Sequence, residues 1–292
     1  MHSLLLHNGE ISKTSDLLVS PGQTGFMNGW GVFSTLQVYE GVLFAFDRHY
    51  RRMQRDAQLL RVPFTISAAQ LEEWLLRLVG ANAVRSGTLR VAVIRNRGGA
   101  FEGPDIARDA DVIAFTTGLT DWGSGVRLCY QPNARHAGSP FAGVKVTSWA
   151  FNLTWNEEAH ERGFDEAILL NEHGQVSECT SANVFVINGT SVWTPPLRES
   201  GCLPGVTRAI LLEEIRVPGI TIEERSISPA ELEGADQVFI TSTTRNLLPV
   251  FEVEGKRLRQ SPEVLSKLSH AFSGHLAAYA SRRAEAKEPV HT

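Results

Sequence analysis

Two hydrophobic rhythms alternate along the chain. GVFSTLQVYEGVLFAF, Gly31 to Phe46, predicts two strands about a Tyr39-Glu40-Gly41 turn, and LRVAVIR and DVIAFTT predict two more. Between these pairs the period lengthens. A helix is predicted from about His49 to Arg61, stopping before Pro63. Ser67 opens another: Gln70 completes a capping box, and Leu71, Trp74, Leu75, Leu78 and Val79 fall on one face. GLTDWGSG, Gly118 to Gly125, then interrupts the pattern with small and polar residues. Beyond it, VRLCY reads as a strand and a polar helix ends near Gly163. Further strands turn at Glu172-His173-Gly174 and at Asn188-Gly189, the latter a strong hairpin signal. Leu203-Pro204-Gly205 opens a helix running to about Arg216, stopped by Pro218. QVFITSTT is a strand ending in hydroxyls. The last helix has Ser261 as cap, Pro262 at its first position and a stripe of Val264, Leu265, Leu268, Phe272 and Leu276.

At 292 residues the chain is expected to divide its core between two domains. The pattern divides it into a small N-terminal α/β domain (1–118), a linker (119–125) and a larger β-rich α/β domain (126–292), an α/β fold of the two-domain α+β type. Charge is nearly balanced, 28 Lys and Arg against 32 Asp and Glu, which argues against nucleic acid or an acidic membrane as partner. Cys129, Cys179 and Cys202 fit neither a disulfide framework nor a metal pattern. With no signal peptide and no apolar run of membrane-spanning length, the expected location is the cytoplasm. The chain has no Walker loop, no G-x-G-x-x-G after a strand, no G-x-S-x-G elbow and no H-E-x-x-H, so neither a metal nor a dinucleotide is expected.

Candidate chemistry begins with a puzzle. Glu178 sits in ILLNEHGQVSECTSANVFVINGTSVW, a core-like stretch without a Lys or Arg, although a buried carboxylate needs a partner. Such a partner could be a cationic ring nitrogen brought by a ligand; an outward-facing strand residue would look the same. Asn183 reads as a brace for local backbone. Lys145, in PFAGVKVTSW, follows small and apolar residues at a strand end, where desolvation makes an amine nucleophilic enough for a Schiff base. Gly205-Val206-Thr207 offers free N–H groups and a hydroxyl at a helix start, and Thr241 to Thr244 offer more hydroxyls. Arg48, Arg51, Arg52 and Arg55 crowd one helix, and one of them could turn inward to hold a phosphate.

E-C-T-S-A-N-V-F (178–185), V-W-T (192–194) and L-P-G-V-T-R (203–208), together with F-D-R-H-Y-R-R-M and S-T-T-x-x-x-x-P-V, resemble the signature of the fold-type IV, or class IV, pyridoxal-phosphate aminotransferases. The likeness runs from about Asn8 to Val250. It implies pyridoxal 5'-phosphate (PLP) at the domain interface and a homodimer or higher homo-oligomer. By position it implies Lys145 as the Schiff-base lysine and proton carrier, Glu178 as partner of the pyridine nitrogen, and Arg52, Val206, Thr207, Thr243 and Thr244 as phosphate ligands. Arg95, with Arg97 as its neighbour, matches an arginine that binds a substrate carboxylate in several members. The implied reaction moves an amino group between a branched-chain, other apolar or aromatic amino acid and a 2-oxo acid. The alternatives within the family are aminodeoxychorismate lyase and D-amino-acid aminotransferase, and outside catalysis a cofactor-binding protein. The chain departs from the family pattern at Trp30 and Ser34, where an acid and a glutamate are usual, and at Ser148-Trp149-Ala150 and Val93-Ile94-Arg95.

Overall fold

A computed structural model describes residues 1–16, 18–99, 102–104 and 106–285. Internal contacts divide the chain into two units: Met1–Thr120 with Val144–Trp149 and the described residues from Ala277 on, and Asp121–Gly143 with Ala150–Leu276.

The first unit contains β1 (Leu4–His7), β2 (Glu10–Lys13), α1 (Thr24–Asn28), β3 (Gly31–Tyr39), β4 (Val42–Leu43), α2 (Phe46–Leu59), α3 (Ala68–Ala81), β5 (Gly87–Arg95) and β6 (Ala110–Thr117). Its sheet runs β2-β1-β6-β5-β3-β4. The Tyr39-Glu40-Gly41 turn forms as the sequence suggests, with Glu40 and Gly41 both left-handed. In α3 the Ser67 hydroxyl accepts the Gln70 N–H at 3.2 Å, and Leu71, Leu75 and Leu78 are buried. Each of those leucines contributes roughly 1.5–3 kcal/mol by leaving water. They meet Leu36, Val38, Leu89, Val91 and Val93 of the sheet and Met53 and Ala57 of α2 in one core. Strand side chains alternate, so Phe33, Thr35, Arg90 and Ala92 occupy the other face; Arg90 pairs Thr35, and Ala92 pairs Phe33.

Lys145 belongs to this unit, whereas the sequence division places it in 126–292. The cause is backbone pairing. Val146 bridges Val32, the Phe33 N–H donates to the Lys145 carbonyl at 3.2 Å, and the Thr147 N–H donates to the Gly31 carbonyl at 2.9 Å. The segment extends the sheet edge at β3, a long-range pairing that local pattern does not reveal.

The second unit contains β7 (Val126–Arg135), α4 (Ala150–Glu161), β8 (Glu166–Asn171), β9 (Val176–Cys179), β10 (Asn183–Asn188), β11 (Ser191–Thr194), α5 (Leu197–Ser200), α6 (Val206–Glu213), β12 (Thr221–Glu224), α7 (Pro229–Gly234), β13 (Gln237–Ser242), β14 (Asn246–Val253) and β15 (Lys256–Arg257). Its sheet runs β12-β11-β10-β13-β14-β7-β8-β9, with β15 beside β14. Residues from β8, β10 and β13 read as near-continuous buried runs, as strands covered on both faces require. α8 (Pro262–Glu285) closes the described chain, and its stripe Val264, Leu265, Leu268, Phe272 and Leu276 is buried throughout. Among the described residues no helix is long and apolar enough to cross a membrane. All three cysteines are free and buried.

Candidate active site

In the first unit, the half-buried Lys145 holds its ammonium over two rings: Nζ lies 4.6 Å from the Phe33 centroid and 5.4 Å from that of Trp149. Its backbone is fixed from both sides. The Lys145 N–H donates to Asp56 Oδ2 at 3.1 Å, and the Thr147 hydroxyl donates to the Gly29 carbonyl at 2.8 Å. Asp56, fully buried on α2, also accepts from Arg55 Nε at 2.9 Å. The lysine is thus carried on a braced strand edge, with a short flexible reach confined to its own side chain.

Arg52 faces the same unit's interior from α2. Its Nη2 donates to the Ser34 hydroxyl at 2.7 Å, and that oxygen lies 2.8 Å from His49 Nδ1. Burial lowers the Arg52 pKa to about 10. Burial first, then the charges of Arg52 and Lys145, hold His49 well below 6.5, so its imidazole is neutral. Its Nε2 is buried and meets no hydrogen-bond partner among the described residues. Ser34 stands where the family pattern has glutamate; its hydroxyl joins Arg52 to His49 without adding charge.

Arg90 is absent from the sequence-level candidates. Its guanidinium carbon lies 3.9 Å from the Phe33 centroid and 5.5 Å from that of Trp149, so it shares both rings with Lys145. Its guanidinium makes no hydrogen bond or ion pair with any described residue, and burial lowers its pKa. A signal was present: in LRVAVIR, Arg90 is the charged residue inside the strand, on the face that alternates away from Leu89, Val91 and Val93. Arg95 and Arg97 sit otherwise. Arg95 Nε donates to the Arg97 carbonyl at 2.7 Å and Nη1 to the Arg61 carbonyl at 2.8 Å, with the guanidinium 4.2 Å from a Trp30 ring centroid. The Trp30 indole in turn donates to the Leu60 carbonyl at 2.7 Å. Arg97 pairs with Glu102 at 3.3 Å and Asp109 at 3.7 Å.

In the second unit, Glu178 does have a protein partner, a correction to the reading that left a ligand's ring nitrogen to balance it. Arg135 Nε, at the end of β7, donates to Glu178 Oε1 at 2.8 Å, and the Leu203 N–H donates to Oε2 at 3.0 Å. The cation comes from another strand, so the local stretch gave no hint of it. Asn183 Nδ2 donates to the Leu203 carbonyl at 2.9 Å, bracing the loop that enters α6. The next two residues reach the helix through Gly205, where a Cβ would overlap Asn183 Oδ1. Gly205 caps α6 without any side-chain hydrogen bond, and Val206 and Thr207 occupy its first turn, both buried. The first-turn N–H groups of such a helix favour an anion. Thr243 and Thr244 lie in the turn after β13, rather than within the strand, both half-buried. In the first unit, therefore, Lys145 and Arg90 share one pair of aromatic rings, and Arg52 is joined through Ser34 to the buried His49. Glu178 and the Val206-Thr207 helix start are joined in the second through Leu203 and Asn183.

Two sheets of this order, carrying these residues, define a fold-type IV enzyme. The chain belongs to the class IV amino-transferase family, whose model matches residues 31–253. It is 29% identical over 258 residues to D-alanine aminotransferase of Bacillus licheniformis, covering 87% of this chain and 89% of that protein. It is 27% identical over 252 residues to aminodeoxychorismate lyase of Bacillus subtilis, covering 85% of each. Among solved structures, the branched-chain amino acid aminotransferase from Escherichia coli superimposes with a TM-score of 0.84 at 25% identity, covering 94% of this chain and 95% of that one. A fold IV transaminase from Curtobacterium pusillum gives 0.80 at 26% identity, covering 91% and 97%.

Proposed function

We propose that the chain is a PLP-dependent aminotransferase that moves an amino group between an apolar or aromatic amino acid and a 2-oxo acid. The observation that carries this reading is the setting of Lys145: a backbone-braced lysine whose ammonium faces two aromatic rings, with Arg52 and Arg90 in the same unit. The residues that would hold PLP are Lys145, Arg52, Glu178, Val206, Thr207, Thr243 and Thr244. They fit the group: α6 begins without a side-chain cap, as a helix start reserved for an anion would, and Thr207 adds a hydroxyl. Glu178 uses one lone pair on each oxygen for Arg135 and Leu203, which leaves capacity for one more N–H donor. When bound, PLP supplies an electron sink that loosens bonds at the substrate α-carbon.

The chain's own residues do the rest. Lys145 Nζ would anchor the cofactor at rest and, with a substrate amine bound in its place, would serve as base and then acid for the proton at the substrate α-carbon. Arg52 contributes a charged donor to the phosphate, and Ser34 with His49 fixes its direction without a competing carboxylate. Phe33 and Trp149 shield the reacting nitrogen from water. A homodimer in the cytoplasm is part of the same proposal, checked by light scattering and by fractionation of the native host.

Purified protein supplied with PLP should become yellow, and borohydride should fix one cofactor to the peptide containing Lys145. A protein that stays colourless with added PLP would overturn the reading. Amino acids of both hands, offered with 2-oxo acids, should yield a new amino acid. Pyruvate released from aminodeoxychorismate, with no 2-oxo acid aminated, would make the protein a lyase instead.

A further inference from the structure

We propose that the buried Arg245–Glu166 pair is a positioning device for the cofactor: it holds the Thr243-Thr244 turn at a fixed spacing from the Thr180-Ser181 link beside Glu178. The inference rests on the reading given above of Glu178, Thr243 and Thr244 as residues for PLP, and it concerns the second unit alone. Arg245 directly follows the two threonines between β13 and β14, and Glu166 opens β8. Their side chains are 5% and 0% exposed, and Arg245 Nη2 donates to Glu166 Oε2 at 3.1 Å. Ser181, in the link between β9 and β10, completes the junction. Its hydroxyl donates to Glu166 Oε2 at 2.7 Å and accepts from Arg245 Nη1 at 2.8 Å, and its carbonyl accepts from the same nitrogen at 3.3 Å. The Thr180 hydroxyl donates to Glu166 Oε1. Three segments far apart in sequence thus meet on one carboxylate and one guanidinium.

Stability alone does not account for this arrangement. Apolar side chains of similar volume often replace a buried ion pair without loss. This pair also leaves a donor unmet, since Arg245 Nε is buried and has no partner among the described residues. What the pair does supply is direction. The guanidinium carbon lies 3.8 Å from the Trp122 ring centroid, and two of its nitrogens are committed to Glu166 and Ser181, so its orientation is set by a ring and by acceptors together. The Arg245 N–H donates to Ser242 Oγ at 3.2 Å, closing the turn that presents Thr243 and Thr244. On the other side the Cys179 N–H donates to the Ala182 carbonyl at 2.7 Å, closing the link that follows Glu178. The β10–β13 ladder ends with Asn183 opposite Thr241, and the pair carries its register past that point into both segments. A ligand that meets Glu178 with its ring and the threonines with its phosphate is bivalent, so its affinity depends on the spacing of the two ends. A ligand with one end does not feel that spacing.

The test compares the full chain, freed of cofactor, with Arg245→Met, with the double variant Arg245→Met/Glu166→Gln, and with the milder Ser181→Ala. Calorimetry measures binding of pyridoxamine 5'-phosphate and of pyridoxamine, phosphorus NMR measures binding of inorganic phosphate, and urea unfolding measures stability. Partners that hold ligating groups in place contribute about 10- to 100-fold to affinity at metal sites, and Arg245→Met should weaken pyridoxamine 5'-phosphate by about tenfold, the lower figure. Pyridoxamine and inorganic phosphate should each stay within about twofold of the parent. Ser181→Ala should cost the joined ligand about 2- to 10-fold, the worth of one hydrogen bond. In the double variant stability should return toward the parent while the loss of affinity persists. Affinity that recovers together with stability would make the pair merely structural and overturn the proposal. So would an equal loss for inorganic phosphate, which would make Arg245 a source of charge at the anion instead of a spacer. Hydrogen exchange needs no cofactor: in Ser181→Ala the amides of 180–181 and of 243–245 should exchange faster together, and unchanged exchange at either segment would also overturn it. A parent chain that binds no pyridoxamine 5'-phosphate would sink the proposed function, while the exchange arm still decides whether the pair couples the two segments.

Discussion

Replacing Arg135 by methionine removes the cation that faces Glu178 while keeping most of the side-chain volume. The pair is short, 2.8 Å, and its side chains are 19% and 9% exposed. Breaking a buried pair from one side costs roughly 3–5 kcal/mol, and the residual exposure screens some of it, so about 2–3 kcal/mol is expected. Glu178 would keep a single donor, the Leu203 N–H. The reverse change, Glu178→Gln, is milder. Arg135 would retain the Ala134 carbonyl at 3.1 Å and Asn152 Oδ1 at 3.4 Å, so the loss should be about 1 kcal/mol. In the double variant the attraction and the desolvation penalty disappear together, and stability should return to within about 1 kcal/mol of the parent. The coupling energy between the two sites is then about 2–4 kcal/mol. Urea unfolding of the PLP-free protein, with midpoints compared at a common slope, measures all four corners of the cycle. Additive single effects, within about 0.5 kcal/mol, would refute the reasoning, as would Arg135→Met proving milder than Glu178→Gln.

Gly205→Ala should destabilise by about 2 kcal/mol, because the added methyl overlaps Asn183 Oδ1; combining it with Asn183→Ala should recover part of the loss in the same unfolding assay. His49 has its pKa depressed in the folded state by burial and by Arg52 and Lys145, so the unfolded chain binds more protons below pH 6.5. Stability from this group is complete above 6.5 and falls with pH below it by up to about 1.4 kcal/mol per pH unit. Thermal melts of His49→Gln between pH 7 and 5 should be flatter by that slope, and parallel curves would rule the account out. Lys145→Ala should abolish amino transfer and borohydride trapping together, while far-ultraviolet circular dichroism remains that of the parent; residual trapping would move the reacting amine elsewhere.

Elements that depend on neighbouring residues were legible in the sequence. The Ser67 cap, the leucine stripe of α3, the Glu40-Gly41 turn and the stripe of α8 each follow from spacing within one turn or one hairpin. The E-C-T-S-A-N-V-F and L-P-G-V-T-R motifs were legible too, since each is contiguous. What stayed hidden depends on strand register. Arg135 reaches Glu178 only because β7 lies beside β8, and β8 beside β9. Arg90 meets Phe33 only because β5 and β3 pair with Ala92 opposite Phe33. Lys145 joins the first unit only because Val146 bridges Val32 across more than a hundred residues. A linear motif names a residue; the ladder decides what surrounds it.

Trp30 and Arg95 together finish α2. The indole donates to the carbonyl of Leu60 and the guanidinium to that of Arg61, whose backbone is left-handed at φ 54. These donors meet carbonyls just past the helix end, and the cation opposes the helix dipole there. The two residues also stack on each other. They therefore form an epistatic pair: restoring the family's usual acid at Trp30 alone would strip Arg95 of its ring and set a carboxylate beside the helix's negative pole. A directed-evolution campaign that randomises Trp30 by itself will mostly sample damage to the helix carrying Arg52, and gains will surface only where both positions vary at once.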